Sequence, residues 1–447
     1  MLFRFHMGRQ ALVIVADAEL CREAGIKKFK QITNRTIPSP IMASPIHQKG
    51  LLWIRDLTWS SMRNTIVSVY QPSHLATLVP MMQSYIEAIA QNIPEGADED
   101  INLNELTLKI ASDVIGKAAF GSDFGLCQPD QHQHQGYTDS FLKQHIYSTS
   151  KLKMDLSSSM SMLIGLFLPI LQEPFRHIFE NIPFTTDWQL QRTNKSLTNI
   201  LEKIVDNKMQ DRKRGSSDFL SLILNARESN TNLSRLFTPD YISGLTYEHF
   251  LAGSTTTSFT ISTAVYLISG HPEVEQKLLE EIDAFGPRDQ VPTADDLQSR
   301  FPYLDQVVKE TMRFYTLSPF MLREAATDVK IGDYIIPKGT GVWMSYAALA
   351  KDPTNFPEPE KFKPERFDPN GDEEKHRHPY AYIPFGIGPR VCIGQKFALQ
   401  EIKLALIHLY RRYVFRRSPN MKTPLEFEFG IVLHFKHGII VRAIKRM

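Results

Sequence analysis

From Leu245 to Ser269 the chain carries no proline, and the run stops at Gly270 with Pro272 just beyond. A helix over that span rises on the order of 35 Å at 1.5 Å per residue, enough to cross a whole domain. The length of 447 residues allows about three domains or one large one. None of the candidate loops, Gln128–Gln135, Asn207–Asp218 and the Pro-rich Asp352–Pro369, is long or flexible enough for an interdomain linker. We therefore expect a single domain over residues 1–447, mainly α with small β-sheets. In the middle of the long helix sits Ala252-Gly-Ser-Thr-Thr-Thr257. Glycine costs ~1 kcal/mol against alanine in a helix interior, so either close packing or function selects such a cluster.

The composition excludes several classes. Lys and Arg number 51 against 49 Asp and Glu, a formal net charge of +2, so bulk positive charge does not support nucleic-acid binding. Cys21, Cys127 and Cys392 lie far apart without CxxC spacing. This argues against a disulfide framework or a structural zinc site and fits a reducing compartment. Met1–Gln10 runs straight into the strand-like Ala11–Ala16, with neither a basic n-region nor an apolar h-region. The most apolar stretch elsewhere, Met160–Leu171, is too short to span a bilayer and is broken by Pro169. It fits a membrane-surface helix or a buried core helix equally. The tract Gln131-His-Gln-His-Gln135 has no third ligand nearby and makes a poor metal site.

The pattern reads as strand up to about residue 20 and mainly as helix to about 430, with short strands at Val329–Ile336 and Gly438–Arg442. One expected helix follows Phe301-Pro302. Leu304, Val307, Val308 and Thr311 share one face, and Glu310 and Arg313 project from the other. Taken alone, Glu310 and Arg313 form a solvated i,i+3 pair worth a few tenths of a kcal/mol.

The segment with the clearest chemistry is Pro384-Phe-Gly-Ile-Gly-Pro-Arg-Val-Cys-Ile-Gly-Gln-Lys-Phe-Ala-Leu-Gln-Glu401. Gly386, Gly388 and Pro389 make a tight loop, and a helical run follows from Gly394 through Tyr410, which sets the Cys392 thiol at a helix N-terminus. Free N–H groups and the helix dipole lower a thiol pKa there. A thiolate without a second cysteine or histidine at clip spacing suits a single axial bond to haem iron.

The chain resembles the cytochrome P450 superfamily over essentially its whole length. Four motifs agree in order and spacing: Trp59-x-x-x-Arg63, Ala252-Gly-x-x-Thr256-Thr257, Glu310-x-x-Arg313 and the loop through Cys392. The resemblance makes Cys392 the proximal ligand of a haem b iron, with Phe385 beneath the macrocycle and Gly386 and Gly394 in the cofactor cradle. It makes Trp59, Arg63, Arg323 and Arg390 partners of the haem propionates, for which forked guanidinium donors are suited. It also joins Glu310, Arg313 and Arg366 in a buried triad under the Pro-rich segment, and sets the membrane anchor, hinge and first helix of the family before residue 1.

In its C-terminal half the chain looks closest to the plant family that oxidises carlactone in strigolactone biosynthesis, through the runs Phe301–Glu310, Lys351–Asn370 and Glu374–Tyr380. That resemblance implies a haem-thiolate monooxygenase using O2 and electrons from NADPH. Its partner is a cytochrome P450 reductase and its substrate an apolar, carlactone-like molecule. The expected setting is the cytosolic face of the endoplasmic reticulum, as a monomer without a nucleic-acid partner. Thr256 and Thr255 are the candidate catalytic residues, with Thr255 standing where the superfamily usually has an acid. Ala252 and Gly253 are expected to leave room above the iron. Ala252, Ser318, Phe320 and Ile431 are the candidate substrate contacts, and Lys396, Arg411, Arg412, Arg416 and Arg417 a basic docking face. Two alternatives are a haem-dependent isomerase or lyase that needs no NADPH, and a truncated chain that holds haem poorly.

Overall fold

The computed structural model describes residues 1–42, 44–94, 99–127, 144, 146–148, 150–151, 153, 159–211, 215, 218–430 and 432–446. The longer helices, in chain order, are α1 (Asp56–Ile66), α2 (Val79–Gln91), α3 (Leu103–Phe120), α4 (Met160–Phe167), α5 (Pro169–Phe179), α6 (Thr186–Gln210), α7 (Phe219–Ser229), α8 (Pro239–Ile268), α9 (Pro272–Ala284), α10 (Pro302–Phe314) and α11 (Gln395–Arg412). The strands are β1 (Leu2–Met7), β2 (Gln10–Val15), β3 (Ile101–Asn102), β4 (Phe320–Glu324), β5 (Val329–Ile331), β6 (Tyr334–Ile336), β7 (Gly341–Ser345), β8 (Tyr413–Arg417), β9 (Phe427–Phe429), β10 (Leu433–Phe435) and β11 (Ile440–Lys445). The expected mainly α fold with small sheets is what forms.

The chain opens as a hairpin rather than one strand: Leu2 pairs Val15 and Met7 pairs Gln10, with Gly8 at φ +61° in the turn. Its second strand extends into a four-stranded sheet in the order β1-β2-β7-β4, parallel only between β2 and β7. The region around Val329–Ile336 folds back on itself as the β5–β6 hairpin, and β3, β11 and β8 form a separate sheet.

α8 begins at Pro239, six residues before the expected start, because Pro at its first turn and Asp240 complete a helix entry after Thr238. It is buried on nearly every side, the signature of a central helix. α3, α6, α10 and α11 pack against it in the largest core cluster, and a second cluster packs under the four-stranded sheet. Its hydroxyls are reconciled with the helix by bonding back to the preceding turn. Ser254 donates to the Phe250 carbonyl at 2.7 Å, Thr260 to Thr256 at 3.0 Å and Thr263 to Phe259 at 2.8 Å. Thr107 on α3 reaches the hydroxyls of both Ser258 and Ser262 at 2.8 Å, tying the two helices together.

Met160–Leu171 breaks where Pro169 starts a new helix. Met162 and Gly165 face inward, while Phe167, Leu168 and Ile170 are exposed, Ile170 at 91%. The stretch is therefore half core and half surface. Among the described residues, no helix is long and apolar enough to cross a membrane.

Candidate active site

The loop before α11 is built by backbone geometry. Gly386 and Gly388 hold φ of +85° and +69°, and a Cβ on Gly388 would stand 2.2 Å from the Gly25 carbonyl oxygen, so the second position admits only glycine. The Cys392 N–H donates to the Phe385 carbonyl at 2.9 Å, closing the loop. Protein surrounds Cys392 on all sides, yet its side chain is accessible, and the surface it shows is that of an interior cavity. The Gly394 amide and the nearby Arg63 and Arg35 charges favour the thiolate, but burial outweighs them and pushes the thiol up. The helix-terminus argument from sequence had the right contributors and missed the larger opposing one.

The cavity holds about 400 Å³. Cys392, Phe385 and Gly386 form one wall, and Ala252, Thr255 and Thr256 of α8 face them. Ser318 and Phe320 line it too. Ile431 and the tract Gln131–Gln135 lie outside the described residues. Ala252 is exposed in the middle of an otherwise buried helix, so its methyl group looks into the cavity. Thr256 donates to the Ala252 carbonyl at 2.6 Å, which leaves its oxygen lone pairs to accept. Gly253 lines the cavity as well and has a second, packing role. A Cβ there would meet Ile115 Cγ1 at 2.5 Å, so this glycine seats α8 against α3.

One edge of the cavity is cationic. Arg63 donates to the Val391 carbonyl at 2.7 Å, and Arg390 donates to Ile54 and Thr33 carbonyls and stacks 4.0 Å over the Trp59 ring. Arg323 lies just behind the wall, fully buried, with its Nε unpartnered. Arg35, which no motif pointed to, lines the cavity and also has an unpartnered Nε. Burial pulls all four guanidinium groups below their ordinary pKa, and repulsion from neighbouring guanidinium groups adds to it at Arg35, Arg323 and Arg390. Buried cations without counter-ions are costly, so this rim is built for an incoming anion. A flat apolar group carrying two carboxylates, with its metal over a lone thiol, meets every one of these conditions, and haem b is such a group. Gly394 adds open space, since a Cβ there would meet nothing nearer than Tyr70 at 3.9 Å. No cluster of three or more His, Cys, Asp or Glu suited to a metal occurs among the described residues.

Glu310 and Arg313 are fully buried, not solvated. Arg313 binds Glu310 through Nε at 2.6 Å and Nη2 at 2.8 Å, and Arg366 Nε reaches Glu310 Oε1 at 3.0 Å. The Pro-rich segment closes over them through the Ala350, Pro359 and Lys361 carbonyls, and Glu373 adds a further bond to Arg366 at 2.7 Å. The basic face does not form as a face. Arg411 is buried against the Arg288 and Gln290 carbonyls, Arg416 pairs with Glu275 at 2.9 Å, and Arg417 stacks on Tyr266. Lys396 alone of the set, on the first turn of α11, is exposed without a fold-internal partner of this kind, and Arg412 is half-buried.

A second buried ionisable group also escaped sequence reading. Glu248, one turn before Ala252, lines the cavity and accepts the Leu52 N–H at 2.8 Å.

A lone cavity-facing thiol under a central helix, rimmed by unpaired guanidinium groups, defines a haem-thiolate oxidoreductase. The cytochrome P450 family model matches residues 1–441, and the chain belongs to that family. It is similar to cytochrome P450 3A6 of Oryctolagus cuniculus, at 30% identity over 98% of this chain and 84% of the relative. Thromboxane-A synthase of Sus scrofa matches at 26% over 99% of this chain and 85% of its own. Cytochrome P450 3A12 of Canis lupus familiaris matches at 29% over 100% and 85%. The chain is thus a P450 monooxygenase, whose cofactor is haem b held by a cysteine thiolate and whose electrons come from NADPH through a reductase.

Proposed function

We propose that the chain oxidises a methyl group of carlactone, by successive hydroxylation, to carlactonoic acid or a further-oxidised strigolactone. The observation that carries the reading is the apolar cavity that puts Ala252 and Thr256 opposite Cys392. The choice of substrate is supported by the runs Phe301–Glu310, Lys351–Asn370 and Glu374–Tyr380; the relatives reported above carry other names and do not supply it.

Haem, bound through Cys392, supplies oxygen activation, with sulfur electron donation favouring O–O cleavage. The residues of the chain do the rest. Phe385, Gly386 and Gly394 shape the proximal side, while Arg35, Arg63, Arg323, Arg390 and Trp59 hold the carboxylate edge. Ala252 keeps the space above the thiol free of side chain. Thr256, its own proton committed to the Ala252 carbonyl, accepts a hydrogen bond from a water and fixes it near the reacting carbon. Thr255, which lines the cavity beside Thr256, continues that water chain, while Ser254 is buried and bonds back to the Phe250 carbonyl. Ser318 and Phe320, which line the cavity, exclude bulk water from the substrate.

The enzyme works as a monomer at the cytosolic face of the endoplasmic reticulum, with a cytochrome P450 reductase. The exposed apolar residues of α4, α5 and β1 support a membrane-surface position. Thr255 in place of an acid favours a second reading, a haem-dependent isomerase that needs no NADPH. One experiment separates them: carlactone supplied with reductase, O2 and with or without NADPH. An acid product that appears only with NADPH is the expected result. Rearrangement without NADPH selects the isomerase, and no turnover of carlactone under either condition overturns the substrate.

A further inference from the structure

Glu248 is the one acidic side chain among the described residues that line the cavity. It shares a helical stripe with Ala252 and Thr256, at spacing i, i+4, i+8. Protein surrounds it, yet it keeps accessible area in mid-helix, so the surface it shows is the cavity's. The Leu52 N–H donates to Oε1, with the Leu51 amide close by. Among the described residues no hydrogen bond to Oε2 is formed and it is not sealed off by protein, so it opens to the chamber. Arg35 and Arg390 act on it only through longer-range charge. The facing turn is shaped around it, since a Cβ on Gly50 would stand 2.5 Å from Oε1. Burial raises the carboxyl to about 7, so near neutral pH much of it is protonated and Oε2 is a donor.

A hydrogen-bonding group left open in an apolar chamber discriminates strongly between ligands that satisfy it and ligands that do not. We propose that Glu248 is the specificity-determining contact of this chamber, donating from Oε2 to an acceptor oxygen at one end of an elongated, otherwise apolar substrate. Eight residues of helix separate Glu248 from Thr256, so the oxidised carbon lies on the order of 10 Å from that oxygen. The inference rests on the cavity being the substrate chamber, and it names the chemical feature the chamber selects.

The test is equilibrium binding to the haem-loaded enzyme, read from displacement of the Soret band. The probes are a γ-lactone with a long alkyl chain and the matching alkylcyclopentane, which carries no acceptor oxygen. The lactone-to-hydrocarbon affinity ratio of the parent and of Glu248→Gln, whose amide still donates, exceeds that of Glu248→Leu at least about tenfold. A ratio in Glu248→Leu that matches the parent's overturns the proposal. If Glu248→Leu fails to fold, infrared difference spectra of the parent decide. The carboxyl C=O band shifts when the lactone binds and not when the hydrocarbon does, and an unmoved band overturns the proposal. Turnover does not enter this readout. A parent with the raised ratio that leaves carlactone untouched overturns the substrate assignment alone. A parent that oxidises carlactone without the raised ratio overturns the role of Glu248 alone.

Discussion

Arg323 has no exposed surface, an unpartnered Nε, and only the Leu322 carbonyl and the Met321 sulfur as neighbours to its other nitrogens. Its charge neighbours Arg35, Arg390 and Arg63 repel it. In the role proposed for it at the carboxylate edge, a guanidinium in that position weakens the empty protein and strengthens the hold on a dianion, so its replacement is predicted to move two quantities in opposite directions. In Arg323→Leu the haem-free chain gains about 1–3 kcal/mol of stability while haem content per chain falls, as denaturant unfolding of the apoprotein and haem assay of the purified enzyme will show. Loss of apoprotein stability in that variant contradicts the reading. Motif spacing made Cys392, Thr256, Trp59, Arg63 and Arg390 legible from sequence. Arg35 was not, because it belongs to the site through a long-range approach with no motif beside it in sequence; Glu248 carried a signal, its i, i+4, i+8 spacing with Ala252 and Thr256, but lies one turn outside the small-residue cluster that drew the reading. Charge by itself misled in both directions: Glu310 and Arg313 read as a surface pair and are buried, and Arg411, Arg416 and Arg417 read as a docking face and are bound within the fold.

At the level of elements, α8 carries both the packing and the chemistry, and one cluster of small residues divides between them. Gly253 points at Ile115 and Ala252 at the cavity, one residue and about 100° apart on the helix. The weak helix formers that looked selected for function are therefore partly selected for the approach of α3. Gly253→Ala overpacks that contact and costs about 1–3 kcal/mol. Because the obstructing atoms are those of the Ile115 side chain, Ile115→Ala costs less in the Gly253→Ala background than in the parent, a coupling that a double-mutant cycle of unfolding free energies measures. Additive losses contradict this account of the glycine. The helix itself was legible from its composition, proline boundary and length. Its true start at Pro239 was not, since a first-turn proline reads equally well as a loop. The covering of α10 by residues 350–366 depends on carbonyls from a segment without periodicity, which no local pattern announces.

On the scale of the whole molecule, apolar surface is not spread evenly. Phe3 and Phe5 on β1, Phe167, Ile170 and Ile178 on α4 and α5, and Phe184 beyond them are exposed, and the β1–β2 turn is joined to α4 by the Arg9 N–H to Leu166 carbonyl bond at 3.0 Å. Such surface lowers its free energy in the interfacial region of a bilayer. Replacing Phe3, Phe5, Ile170 and Phe184 by serine lowers partition to phospholipid vesicles at least about tenfold with the haem spectrum unchanged, and unchanged partition contradicts a membrane-facing role. Everything else said of this enzyme hangs on one bond between the protein and its cofactor. The most direct test is the reduced carbon-monoxide difference spectrum of the purified chain beside that of Cys392→Ala. A thiolate-type Soret band in the parent that vanishes in the variant is the predicted result. A band that survives the substitution, or a folded parent that shows none, contradicts the assignment of Cys392 as the haem ligand.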